Sequence, residues 1–146
     1  MREEILKRFF AGEVSAAKLA KDVGGSERRV NKIETVIKIK DMGEEFAVTR
    51  PKLISLCDAV LSGELPPQAL ATIGFALEAS DRFIWDGDED DLLANVIADW
   101  SCPEVNYPLT LENVGKFRAW LSGKEPYPGK AAGASGGKLV SIRRKG

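Results

Sequence analysis

The chain has 146 residues, 44% hydrophobic and 29% charged, with a formal net charge of −1 and no histidine. Those proportions belong to an ordinary globular domain and exclude collagen, rod-like coiled coil and wholesale disorder. The missing imidazole removes Ser-His-Asp and Cys-His catalysis, histidine metal ligands and a histidine pH switch.

Cys57 and Cys102 stand 45 residues apart, in neither a C-x-x-C pair nor a zinc-ligand spacing. Buried free thiols in a reducing, cytoplasmic setting are therefore expected, with no metal and no cofactor. The opening MREEILKRFF has charges through its apolar residues and no signal-peptide core. No stretch approaches the roughly 18 apolar residues that a bilayer span needs.

The small net charge conceals a segregation along the chain. Residues 1–40 hold 10 basic and 6 acidic groups (+4), residues 41–110 hold 3 and 14 (−11), and residues 111–146 hold 8 and 2 (+6). A middle segment of that sign attracts cationic partners over about a Debye length, roughly 8 Å at physiological salt.

Ile5, Leu6, Phe9 and Phe10 form one stripe of a first helix over 2–11, with Gly12 as its stop. Ser15 is placed to cap a second helix, Ala16 to Val23, which Gly24-Gly25 would end. Ser26 would cap a third, with Val30 and Ile33 inward and Arg28, Arg29 and Lys32 outward. From Glu34 to Arg50, Val36, Ile37 and Ile39, a turn-like Asp41-Met42-Gly43-Glu44 and the alternating Phe46 and Val48 predict a β-hairpin.

Thr49 and Pro51 then open a helix through Leu53, Ile54, Leu56, Cys57, Val60 and Leu61 that ends at Gly63. Pro66 and Pro67 open another, through Leu70, Ile73, Gly74 and Leu77, that closes at Ser80-Asp81. The carboxylates after Trp85 suit the positive end of a helix over Asp91 to Trp100. Thr110 caps a last helix in which Leu111, Val114, Phe117, Trp120 and Leu121 face the core, and Gly123 ends it. The run KAAGASGGK carries too little apolar surface to offset ordering entropy, so residues 124–146 read as a flexible basic tail. The expectation is a mainly α, compact domain over 1–123, of about six short helices with a small β-hairpin near residues 35–50.

An internal similarity links Ala11-Gly12-Glu13-Val14 and Leu19-Ala20 to Ser62-Gly63-Glu64-Leu65 and Leu70-Ala71, at an offset of 51 residues. Both copies spell a helix-Gly-Glu-apolar-helix elbow: the glycine supplies a left-handed stop and the apolar residue staples the bend.

Few motifs point to chemistry. Asp86-Gly87-Asp88-Glu89-Asp90 has the alternating carboxylates of a calcium loop, but Asp91 stands where glycine is needed and Ile97 where a bidentate glutamate is needed. Nothing in the cluster separates two carboxylates into the unlike environments of a glycosidase pair. Gly24-Gly25-Ser26 and Gly133 to Lys138 lack the order of a phosphate-binding loop.

Leu19-Ala20, Gly24, Ser26, Val30, Ile33 and Glu34 resemble a helix-turn-helix. With the expected hairpin as a wing, residues 1–50 are similar to a winged-helix DNA-binding domain. That resemblance implies phosphate or base contacts by Arg28, Arg29 and Lys32. Gly25 departs from the pattern, and the −11 segment opposes DNA.

The stretches Leu53 to Gly63, Leu65 to Leu77, Ser80-Asp81-Arg82-Phe83 and Trp100-Ser101-Cys102-Pro103-Glu104-Val105-Asn106-Tyr107-Pro108-Leu109-Thr110, with Phe9-Phe10-Ala11-Gly12-Glu13-Val14-Ser15-Ala16-Ala17 before them, resemble small bacterial toxin-immunity proteins. The resemblance implies a non-enzymatic inhibitor whose carboxylates replace the phosphates that a basic nuclease-type toxin contacts. The expected function is accordingly a protein-binding module that receives a basic protein partner. Asp86, Asp88, Glu89, Asp90 and Asp91 would steer that partner, with Trp85 and Tyr107 as aromatic anchors. The winged-helix DNA binder is the alternative.

Overall fold

The computed structural model describes residues 1–24, 27–31, 34–37, 43–85, 88 and 91–128, the segments 27–31 and 34–37 through their backbone alone. Among the described residues six helices carry the fold: α1 (Glu3–Phe10), α2 (Ala16–Gly24), α3 (Arg50–Leu61), α4 (Ala69–Ala79), α5 (Leu92–Ser101) and α6 (Leu111–Ser122). Four short strands accompany them: β1 (Glu27–Asn31), β2 (Glu34–Ile37), β3 (Phe46–Ala47) and β4 (Phe83–Ile84).

The helices begin and end for local reasons visible in the chain. Ser15 Oγ accepts from the Lys18 amide at 3.1 Å, and Thr110 Oγ1 accepts from the Asn113 amide at 3.1 Å. Each satisfies one donor that the first helical turn leaves open. Gly12, Gly63 and Gly123 all adopt left-handed φ angles of 80°, 88° and 84°. After each, an amide turns back to a carbonyl of the helix just ended: Glu13 to Arg8, Glu64 to Ala59 and Lys124 to Ala119. The elbow thus occurs at α1–α2 and α3–α4, and its glycine stop recurs after α6.

Packing follows two principal pairs, α4 on α5 and α3 on α6. Leu53, Leu56, Leu70, Ile73, Leu77, Val96, Ile97, Trp100, Val114 and Phe117 are fully enclosed between them, and α1 and α2 add Leu6 and Leu19. At about 1.5–3 kcal/mol for each large apolar side chain removed from water, this shared interior holds the helices together. Gly74 sets the α4–α5 separation. A Cβ there would lie 2.9 Å from Trp100 Cβ and 3.0 Å from both Ile97 O and Ser101 N, so only glycine admits this crossing.

The region between α2 and α3 corrects the sequence reading. The third helix expected after Ser26 is instead β1, paired antiparallel with β2 in the register Glu27↔Ile37, Arg28↔Val36 and Arg29↔Thr35. A helix of some eight residues is marginal alone, whereas the β-branched Thr35-Val36-Ile37 offers a ladder close by. The helix-turn-helix is therefore not formed. Arg28 and Arg29 lie on a strand, their side chains and Lys32 outside the described residues. The hairpin also differs from expectation, because β2 pairs with the segment before it. β3 pairs in parallel with β4, Phe46↔Phe83 and Ala47↔Ile84.

The first residues of the expected tail are packed on the helical body. Tyr127 packs on Trp120 with ring centroids 5.1 Å apart and donates its hydroxyl to Asp99 Oδ2 at 2.6 Å. Residues 129–146 lie outside the described residues. Among the described residues, no helix is long and apolar enough to cross a membrane.

Candidate functional site

The short parallel ladder organises the acidic part of the molecule. The Phe46 amide donates to Arg82 O at 2.7 Å and the Val48 amide to Ile84 O at 2.8 Å. An aromatic wedge fixes the pairing: Phe10 stacks on Phe46 with centroids 6.1 Å apart and planes 3° apart, and Phe83 meets Phe46 edge-on at 6.2 Å. Phe83 is fully buried. Residues 44–48 are thereby held alongside residues 81–85. In the sequence, 44–52 and 81–91 together contain eight acidic residues and three basic ones, Arg50, Lys52 and Arg82.

Glu44, Glu45, Asp81 and Asp91 are exposed on this margin. Glu44 contacts Lys7 Nζ at 3.4 Å, and Lys52 Nζ sits 5.1 Å from the Phe46 ring centroid. The sequence pointed to the carboxylates of 86–91, with Trp85 and Tyr107 beside them. The contribution of Glu44, Glu45 and Asp81 was hidden because it depends on a pairing between segments nearly forty residues apart.

Asp88 has a different task from the one expected. Its Oδ1 accepts from Arg50 Nε at 2.7 Å, and its Oδ2 accepts from the Leu93 amide at 2.8 Å. The carboxylate thus caps α5 and ties its start to the start of α3, with only 11% of its side chain exposed. Asp91, at the N-cap position, takes φ 54°, a left-handed value that aspartate tolerates better than most residues. Asp86, Glu89 and Asp90 lie outside the described residues.

Of the two expected aromatic anchors, Trp85 is drawn into the core and Tyr107 is half-buried. Trp85 is 6% exposed and belongs to the core, too enclosed to offer a partner much area. Tyr107 packs edge-on against Phe117 at 5.8 Å and against Trp120 at 5.4 Å. Burial, reinforced by the nearby Asp99, holds its hydroxyl above the ordinary tyrosine pKa. Asp99 itself is fully buried, and its Oδ1 accepts from Asn106 Nδ2 at 3.0 Å. Burial, followed by the hydrogen bond to Asp99, pushes the Tyr127 hydroxyl far above its ordinary value.

A groove of about 540 Å³ opens beside the Arg50–Asp88 pair, between Leu92, Trp120, Pro126 and Tyr127, with Glu125 at its edge. Its apolar lining comes from residues that periodicity assigned to the core or to the tail. Cys57 is buried with its thiol pushed up to about 12 by desolvation, and Cys102 is exposed, contrary to the expectation of two buried thiols. Among the described residues, no three His, Cys, Asp or Glu side chains are grouped to hold a metal ion. The chain matches no protein-family model, no curated protein and no solved structure.

Proposed function

We propose that the chain is a protein-binding module whose acidic margin, built along the β3–β4 ladder, receives a basic protein partner. In its sharper form the reading is an immunity protein that neutralises a basic nuclease-type toxin domain. The observation that supports it is the pairing that brings Glu44 and Glu45, just before β3, alongside Asp81, just before β4. Negative charge from two separate segments then acts on one approaching surface, which raises association rates and orients a cationic partner. The neighbouring groove supplies apolar area that charge alone lacks.

The reading is tested by titrating the chain against a panel of purified basic nuclease and ribonuclease domains at low and moderate salt. At least one domain should bind at micromolar concentration or tighter, lose affinity as salt rises, and lose nuclease activity in the complex. Failure of every domain to bind would overturn the inhibitor reading. Binding that ignores salt would overturn the acidic margin as its basis.

A further inference from the structure

The two elbows face one another across a shallow groove of about 610 Å³. Phe9, Phe10 and Val14 come from α1 and the first elbow, Asp58 and Ala59 from the end of α3, and Glu64 from the second elbow. The floor is apolar, with Phe9, Phe10 and Val14 all half-buried. Among the described residues, its charged lining residues, Asp58 and Glu64, are both acidic. Asp58 is shared with Arg118, and exposed Glu64 has no ion pair among the described residues.

We propose that this groove is the docking site of the chain's own C-terminal segment, Lys138 to Lys145. Beyond Pro128 the sequence has one apolar run, Leu139, Val140 and Ile142, set between Lys138 and the triplet Arg143-Arg144-Lys145, with no acidic residue from 129 to 146. That composition complements the groove: apolar side chains for the phenylalanine floor and cations for the Asp58 and Glu64 rim.

The reach is sufficient. Tyr127 is fixed by its bond to Asp99 and shares a groove with Arg50, at the start of α3. Asp58 stands eight residues further along the same helix, roughly 12 Å at the helical rise. The nine residues 129–137 span up to about 30 Å when extended. Tethering gives the segment an effective concentration on the order of millimolar, so modest contacts suffice for occupancy.

The test compares amide chemical shifts of the full chain with those of a full-length Leu139→Asp/Ile142→Asp variant. The amides of Gly12, Val14, Ala59 and Glu64 should move in the variant while those of residues 44–50 and Asp91 stay. A synthetic peptide of residues 136–146 at millimolar concentration should restore the original shifts. Adding Glu64→Lys to the variant should weaken that rescue roughly tenfold. Groove amides that do not move would overturn the proposal. So would changes confined to the acidic margin, which would place the tail there instead, or shifts lost on dilution, which would make the occupant a second copy of the chain.

Discussion

The two ends of α5 treat an aspartate in opposite ways. At the N-terminal end Asp88 stays at the surface edge, where it caps the helix and pairs with Arg50. At the C-terminal end Asp99 is fully enclosed, held by Asn106 and Tyr127 among the rings of Tyr107, Trp120 and Phe117. The same side chain is a hinge pin in one place and the centre of a buried polar knot in the other. Stability should therefore concentrate at the C-terminal end and recognition at the N-terminal one.

Removing the ring at the heart of the C-terminal end is the severest way to break the contrast. Trp100 is fully buried against Phe117 at a 6.0 Å centroid distance, so Trp100→Ala should cost about 3–5 kcal/mol in urea unfolding. Gly74→Ala comes next. Its methyl meets α5 backbone as well as Trp100, and the resulting strain, about 1–3 kcal/mol, exceeds the helix-propensity gain of about 1 kcal/mol.

Alkaline titration sharpens the contrast without any substitution. Tyr107 and Tyr127 are the only tyrosines in the chain, and both hydroxyls are held above their ordinary value of 10.0. A folded-state pKa above the unfolded one stabilises the fold fully below about pH 10, and that contribution is lost as pH rises further. Tyrosinate absorbance should thus appear together with loss of helical circular dichroism. Independent ionisation near pH 10 in a folded protein would show that the knot is open. Asp88→Ala, at the other end, should cost only about 1 kcal/mol through the lost cap, read as a small shift in urea midpoint.

Much of the helical body was legible in the chain itself. Ser15 and Thr110 cap as their positions suggest, Gly12, Gly63 and Gly123 stop helices, and Leu53, Leu56, Cys57 and Val60 keep helical spacing into the core, while Leu61 at the end of α3 stays exposed. Such signals are local, each decided within a turn or two. Thr49 shows a limit: it occupies the N-cap position of α3, yet its side chain makes no capping bond.

What escaped sequence reading depends on distant partners. Residues 27–31 follow β2 into a strand against their helical pattern, and Phe46 finds Phe83 and not the strand just before it. Trp85 looked available beside a run of carboxylates, but the aromatic packing of β4 draws it inward. Asp99 gave no signal at all, since a single aspartate on an apolar helix reads as a surface residue until Tyr127 and Asn106 arrive from elsewhere.

The claim at the centre of this account is that the β3–β4 ladder joins two acidic segments into one electrostatic surface. The association rate of a Glu45→Lys/Asp81→Lys variant with a basic domain that binds the wild-type chain tests it most directly, beside an Asp86→Lys/Glu89→Lys/Asp90→Lys variant. Both should associate at least roughly tenfold more slowly at low salt, with the difference shrinking as salt rises. If the Glu45/Asp81 variant associates at the wild-type rate while the 86–90 variant slows, the two segments do not act as one surface, and the account is contradicted.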